Sequence, residues 1–319
     1  MRLEVIIPTY NREDLLGNAI ASLAAAPVPS GMEVGITVVD NNSKDNTRGV
    51  VQEWQKKLGS KLSYLFERKQ GRSHALNAGI EATSSDLVGM IDDDEEIDNK
   101  WYSRVKTAFE DPQLDFIGGP YHPRWSTEIP KWLPRDYPGV IGWIDGGNKV
   151  LPYGPEFNGI LMGGNAVFRR KTLEAVGPYS TTLGRSGGNL MSGEDQDMFE
   201  RLLAMGARGL YLPDLIIYHH IPAERLTKRY YRRWCFWNGV SLGVIDHKRN
   251  ASVVYLLGVP RYLYGQALNG LLRVAKAVVS GKETRIKSFG DELPAWSLAG
   301  FFYGKHFHRS QSESGEGKS

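Results

Sequence analysis

One cysteine, Cys235, stands among the 319 residues, so an internal disulfide is excluded and a reducing compartment fits. No apolar run reaches the roughly 18 residues that a membrane-crossing helix needs. The formal net charge is only +3, too slight a surplus to point to nucleic acid as a partner. No G-x-G-x-x-G follows the first expected strand and no Walker A sequence occurs, which weighs against dinucleotide and P-loop sites. Internal repeats are missing too. Met1 to Pro8 enters a strand directly, without a signal-peptide layout, and the expected location is cytoplasmic.

What is present is a core-forming composition and a regular alternation of elements. Hydrophobic residues make up 41% and charged residues 24%, ordinary for one large domain or two smaller ones. Glu4 to Ile7 is a β-branched run stopped by Pro8, and Asn11 is placed to cap a helix from Arg12 to about Ala25. Glu33 to Val39 is the second expected strand, ending at Asp40-Asn41-Asn42-Ser43. Asp45 or Asn46 then starts a helix through Leu58. Leu62 to Phe66 is a third strand, followed by the basic turn Arg68 to Arg72, a helix from Ser73 to Ala82, and a fourth strand from Leu87 to Ile91. Such spacing predicts βαβ units and a Rossmann-like, mainly parallel sheet. Ligands of these sheets bind beyond the carboxyl ends of the strands. Thr9-Tyr10, Asp40, Arg68 to Arg72 and Asp92 to Asp94 all fall there.

The chain is organised around Leu87 to Glu96, where an apolar run ends in five consecutive acids. Acids packed beyond a strand repel one another and lose solvation, so a cation is expected to compensate. Mg²⁺ or Mn²⁺ fits, taking oxygen ligands and completing its shell with water and substrate phosphate. A solvated acidic loop or the first turn of a helix is the plainer account of the same residues.

Further on, Leu161 to Arg170 has strand character, with Gly163-Gly164 allowing close backbone approach. Gly177 to Ser192, with Gly184, Gly187 and Gly188, is loop-like. Glu194 and Asp195 open a helix whose apolar positions Met198, Phe199, Leu202 and Leu203 recur at helical spacing. Capping alone accounts for two acids there. A proton-accepting carboxylate in a water-poor cleft accounts for them equally.

Val5-Ile6-Ile7-Pro8-Thr9-Tyr10-Asn11-Arg12 and Val38-Val39-Asp40-Asn41-Asn42-Ser43-Lys44-Asp45 resemble the opening of family 2 glycosyltransferases. Gly71-Arg72-Ser73 with Ala75-Leu76-Asn77-Ala78-Gly79 is similar to that family's third block. Ile91-Asp92-Asp93-Asp94 resembles its D-x-D element, and Gly193 to Met198 its downstream acidic motif. Five such blocks in order cover roughly residues 3 to 220. The resemblance implies a GT-A fold and an inverting transfer from a nucleotide-sugar donor. It implies that Pro8, Thr9 and Tyr10 border the base and that Asp40 accepts a hydrogen bond from a base N–H. Arg72 then meets diphosphate or base, Asp92 the donor's ribose side with Asp93 also donor-binding, and Asp94 a Mg²⁺ or Mn²⁺ bridging the phosphates. It gives Asp195 as the base with Glu194 orienting the acceptor. His219, or else His220, completes the metal site. Turn capping by Asp40, a solvated Arg72 and a locally packed His219 are the structural alternatives.

Tyr121 to Phe157 breaks the periodic pattern. Its tryptophans, Trp125, Trp132 and Trp143, either stack on acceptor sugar or pin a long loop to the core. After Ala223 the pattern turns basic and helical. Tyr230-Tyr231-Arg232-Arg233-Trp234 departs from the Q-x-x-R-W element of processive synthases, which argues against a polymerase. Val253 to Val279 and Leu293 to Phe307 are amphipathic, suited to a membrane surface near a lipid-linked acceptor, to covering the catalytic domain, or to a dimer contact.

The expectation is therefore an α/β GT-A domain over residues 1–220, an α-helical C-terminal extension over 221–309 and a disordered tail over 310–319. The expected activity is metal-assisted transfer of one sugar to a hydroxyl acceptor, with peripheral membrane contact and no nucleic acid. A sugar-1-phosphate nucleotidyltransferase is the enzymatic rival, although its glycine-rich basic loop is not what stands after strand one. A non-catalytic nucleotide-sugar-binding protein of the same fold is the rival from another class.

Overall fold

A computed structural model of the chain describes residues 1–134, 136–154, 157, 159, 161–185, 190–246, 253–280 and 282–308. The expected tail over 310–319, and Gly187 and Gly188, lie outside the described residues. The chain divides into two compact units. One is Met1–Arg124 with Trp143–Thr181 and Glu194–His220. The other is Trp125–Gly142 with Thr182–Gly193 and Ile221–Ser319, so it takes two segments that the sequence had allotted to the first.

In the first unit the strands and helices alternate. They run β1 (Arg2–Thr9), α1 (Glu13–Ala25), β2 (Glu33–Asp40), α2 (Thr47–Leu58), β3 (Leu62–Phe66), α3 (Arg72–Ala82) and β4 (Leu87–Met90). Then come β5 (Glu95–Ile97), α4 (Trp101–Ala108), β6 (Phe116–Gly118), β7 (Tyr121–Trp125), β8 (Leu151–Pro152), β9 (Ala166–Arg169), α5 (Arg170–Val176), α6 (Glu194–Ala204), β10 (Gly209–Tyr211) and β11 (Ile217–Ile221). Eight strands form one sheet in the order β3-β2-β1-β4-β9-β6-β10-β8. The β3-β2-β1-β4 half is parallel throughout, while β9 runs antiparallel to β4 and β6. Strands β5, β11 and β7 make a second, three-stranded sheet.

The alternation of side chains along each strand gives the large sheet two buried faces. Val5, Ile7, Val38, Leu87 and Val167 belong to one apolar cluster, with Leu16 and Ile20 of α1 and Trp101 and Val105 of α4. Ile6, Val39, Val88, Ala166 and Phe168 belong to the other, with Ala75 and Leu76 of α3 and Met198 and Leu202 of α6. A sheet covered on both faces leaves its strand ends as the open rim, and that is where the polar residues gather.

Three local expectations are corrected. Asn11 does not cap α1: it takes a left-handed φ of 52°, and its side chain accepts from the Lys44 backbone N–H at 2.7 Å. Residues 163–165 are a 3₁₀ turn rather than strand. Asn165 explains that turn, because its amide donates to the Leu215 carbonyl at 2.7 Å and accepts from the Trp101 indole at 2.9 Å. The five acids are split, with Asp92 to Asp94 in a loop and Glu95 and Glu96 in β5.

The second unit is helical: α7 (Lys228–Ile245), a small hairpin β12 (Tyr255–Leu256) and β13 (Val259–Pro260), then α8 (Arg261–Val279), α9 (Lys282–Lys287) and α10 (Phe289–His306). Glycines set the approach of α7 and α10. A Cβ added to Gly239 or Gly243 would lie 2.2 or 2.4 Å from the carbonyl oxygens of Ser297 and Phe301. One added to Gly300 or Gly304 would lie 1.8 or 2.3 Å from those of Phe236 and Val240. Trp125 and Trp132 pack against the apolar cluster of Tyr231, Cys235 and Phe289, which is the loop-pinning role. No described helix is long and apolar enough to cross a membrane.

Candidate active site

The turn after β3 delivers Arg72. Asn41, at the end of β2, donates to the Glu67 and Lys69 carbonyls at 3.2 and 2.7 Å and accepts from the Gly71 N–H at 2.7 Å. Gly71 has a φ of 139°, open to glycine alone in practice. This pins Arg72 as the first residue of α3, with its side chain only 14% exposed. Its guanidinium joins two acidic motifs, one 20 residues and the other 122 and 123 residues further along the chain than Arg72 itself. Nε and Nη2 donate to Asp92 Oδ1 at 3.1 and 2.9 Å, and Nη1 donates to Glu194 Oε1 at 3.2 Å and Asp195 Oδ1 at 3.1 Å. Burial works against the charge of Arg72, but Asp195, Asp92 and Glu194 outweigh it and raise its pKa well above the usual value.

A second cation serves the other acids. Arg12 Nη1 donates to Asp94 Oδ2 at 3.0 Å and lies 4.0 Å from Asp93 Oδ1. Asp93 also accepts from the Thr9 hydroxyl at 2.8 Å. Burial, and then the neighbouring Asp94, push the Asp93 carboxyl up to about 7 despite Arg12. Asp94 Oδ1 faces His219 Nε2 at 3.5 Å, and both side chains are 7% exposed. The His220 N–H donates to the Asp94 carbonyl at 2.8 Å, which fixes β11 against the acidic loop.

Glu95 was not singled out by sequence, yet it closes the cluster. Its Oε2 accepts from the Asp92 N–H at 2.8 Å, and burial, then Asp92 and Asp94, raise its pKa well above the ordinary range. The glycine pair makes room for both acidic groups. A Cβ at Gly163 would sit 2.2 Å from Asp195 Oδ1, and one at Gly164 would sit 2.5 Å from both Glu95 carboxyl oxygens. The Tyr121 hydroxyl is buried with no hydrogen-bond partner among the described residues, and its ring centroid is 6.3 Å from that of His219.

Of the residues expected at the nucleotide end, Thr9 joins this network through Asp93, while Asp40 is held by its own turn. Asp40 Oδ1 accepts from the Ser43 N–H at 2.8 Å and Oδ2 from the Tyr64 hydroxyl at 2.7 Å, so it caps its turn while remaining an acceptor. Burial, with Asp40 beside it, pushes the Tyr64 hydroxyl up to about 12. Pro8 and Thr9 are buried at the end of β1, and Tyr10 is exposed. Among the described residues no group of three or more His, Cys, Asp or Glu side chains is set to hold a metal by itself. Arg12, Glu95 and Tyr121 are the residues that sequence reasoning missed as site members. Arg12 had a signal in its place in the run that follows β1, and Glu95 in its place among the five consecutive acids.

A sheet with a parallel half and cation-bridged carboxylates beyond its strand ends makes this an α/β protein of the class that binds ligands at that rim. The sequence pattern described as Glycosyl transferase family 2 matches residues 4–177, more than half of the chain, and the protein belongs to that family; it is a glycosyltransferase. It is 22% identical over 245 residues to the succinoglycan biosynthesis protein ExoM of Rhizobium meliloti (strain 1021), covering 76% of this chain and 74% of that one. It is 24% identical over 252 residues to the glucosyl-dolichyl phosphate glucuronosyltransferase of Haloferax volcanii, covering 77% and 78%. Among solved structures it is similar to the mannosyltransferase PcManGT from Pyrobaculum calidifontis in complex with GDP-Man and Mn²⁺. The TM-score is 0.61 at 20% identity, over 95% of this chain and 86% of that one. S. aureus TarS 1-349 in complex with UDP gives 0.53 at 17% identity, over 92% and 89%. These likenesses carry the GT-A fold.

Proposed function

We propose that the protein transfers a single sugar from a nucleotide-diphosphate sugar to a hydroxyl acceptor with inversion, assisted by Mg²⁺ or Mn²⁺. The observation that carries this reading is the Arg72 fork, which holds Asp92 on the donor side and Asp195 with Glu194 on the acceptor side of one buried cluster. Asp195 takes the acceptor's hydroxyl proton as the oxygen bonds to the anomeric carbon. The bond from that carbon to the diphosphate oxygen breaks on the opposite face, and the nucleoside diphosphate leaves with the electron pair. Glu194 orients the acceptor. Thr9 and Arg12 hold Asp93 and Asp94 in place, and Asp40 offers its remaining acceptor capacity to a base N–H.

The residues fit a divalent cation. A carboxylate oxygen and an imidazole nitrogen 3.5 Å apart are close to the ~3 Å that neighbouring ligands keep around an ion with bonds of about 2.1 Å. Asp94 and His219 would hold it, with diphosphate oxygens and water filling the rest of the shell. Bound there, a divalent cation supplies positive charge to the departing diphosphate. Arg12 shares the Asp94 carboxylate and offsets its charge when no donor is bound.

Thermal-shift titration with GDP- and UDP-sugars tests this. Stabilisation by the matching donor should reach about 2.7 kcal/mol at a hundredfold excess over Kd, and should be smaller at the same donor concentration without Mn²⁺. The Mn²⁺-dependent part should vanish in Asp94→Ala, and its survival there would remove Asp94 from the ion. Pyrophosphate release from a nucleoside triphosphate and a sugar phosphate would favour nucleotidyl transfer instead. A second variant, Gly163→Ala, places a methyl group against Asp195 and Arg72. It should lower turnover roughly a hundredfold, the scale of a 1 Å misplacement, with little change in melting temperature.

A further inference from the structure

Helix α8 is built inside out. Its buried stripe is small, with Ala267, Gly270 and Ala277, and a Cβ on Gly270 would lie 2.1 Å from the Asp291 carbonyl oxygen. Its large apolar side chains point outward: Leu268 is 60% exposed, Leu272 59% and Val279 85%. At about 100° per residue, Leu268, Leu271, Leu272, Ala275, Val278 and Val279 share one arc of roughly 120°. A helix packed for water alone places leucine inside and alanine outside. Packing by small residues with large apolar groups outward is how helices associate in lipid, and the glycines between α7 and α10 follow the same rule.

The hairpin beside it repeats the anomaly. Strands β12 and β13 pair Leu256 with Val259, leaving a two-residue turn in which Leu257 has φ 50° and Gly258 φ 76°. Both angles positive make a type I′ turn, whose first position favours Asn or Asp. A leucine there is strained, and this one is also 70% exposed. The tip meets the end of α10, where His306 Nε2 lies 2.8 Å from the Leu257 carbonyl oxygen and Phe302 and Phe307 are exposed.

Charge identifies the occupant. Helix α8 carries Arg261, Arg273 and Lys276 and no acid; Arg273 pairs with Asp291, while at about 100° per residue Arg261 falls on the apolar arc and Lys276 beside it. A second copy docked on this face about a two-fold axis would bring like charges together. An anionic bilayer surface would neutralise them while taking up the leucines. We propose that α8, the β12–β13 tip and the end of α10 form a monotopic surface that seats in the interface of a bilayer containing anionic lipid.

Flotation of the full chain with vesicles tests this. The protein should float with phosphatidylcholine vesicles containing phosphatidylglycerol, and less with phosphatidylcholine alone or in high salt. Leu257→Asn should weaken binding about tenfold while the melting temperature stays level or rises, because asparagine suits the turn. A purely structural leucine would lower the melting temperature instead. Leu268→Asn with Leu272→Asn should weaken binding further. The proposal is overturned if neither vesicle binds, if the variants bind as wild type does, or if sedimentation shows a dimer that the double variant dissolves.

Discussion

Asp195→Asn should bind the nucleotide-sugar donor as tightly as wild type and turn it over roughly 10²–10⁴-fold more slowly, the range general-base catalysis contributes. The substitution preserves shape, and the amide oxygen can still accept from Arg72 Nη1, which reaches Asp195 Oδ1 at 3.1 Å. What it removes is the capacity to take a proton. Single-turnover transfer measured beside calorimetric donor titration separates the two effects. A loss below tenfold, or an equal loss in donor affinity, would take the base role away from Asp195. Donor hydrolysis at the wild-type rate in this variant would favour a binding protein over an enzyme using this acid.

Gly300→Ala and Gly265→Ala should move stability in opposite directions, although both replace a helical glycine with the best helix former. At Gly300 the new Cβ would stand 1.8 Å from the Phe236 carbonyl oxygen. Backbone cannot swing aside as a side chain can, so α7 and α10 must separate along the whole glycine seam. The expected loss is about 1–3 kcal/mol, the usual scale of overpacking. At Gly265 nothing lies within 4 Å, and alanine should add about 0.4–1 kcal/mol by restricting the unfolded chain. Urea midpoints of the two variants, with unchanged slopes, check both signs. A neutral Gly300→Ala would mean that the two helices are not in this close contact.

The parallel half of the sheet was legible because β-branched runs, punctuating polar residues and helix-length spacers all point the same way. The expected strand ends differ from the observed ones by a residue or two, the usual scatter of boundaries. Gly163 to Asn165 looked like strand because local pattern cannot register the pull of Asn165 on Leu215, fifty residues away. Arg72 was ambiguous for the same reason: a surface arginine and one buried among three carboxylates have identical neighbours in sequence. Glu95 was hidden inside an acidic run whose pattern does not show where the loop of Asp92 to Asp94 gives way to β5. In the helical unit the amphipathic period was visible, but not that α8 buries its alanine and glycine side instead of its leucines.

The Asn41 side chain spends all four of its hydrogen-bonding positions on residues 67 to 71, with the Gln70 amide at 3.3 Å as the weakest. The distance from β3 to α3 is thereby set by counting residues. One insertion or deletion in that turn would advance Arg72 along its helix by about 1.5 Å and rotate it by about 100°, away from every carboxylate it now joins. Loop length, usually the most forgiving property of a surface connection, is here a fixed dimension of the molecule.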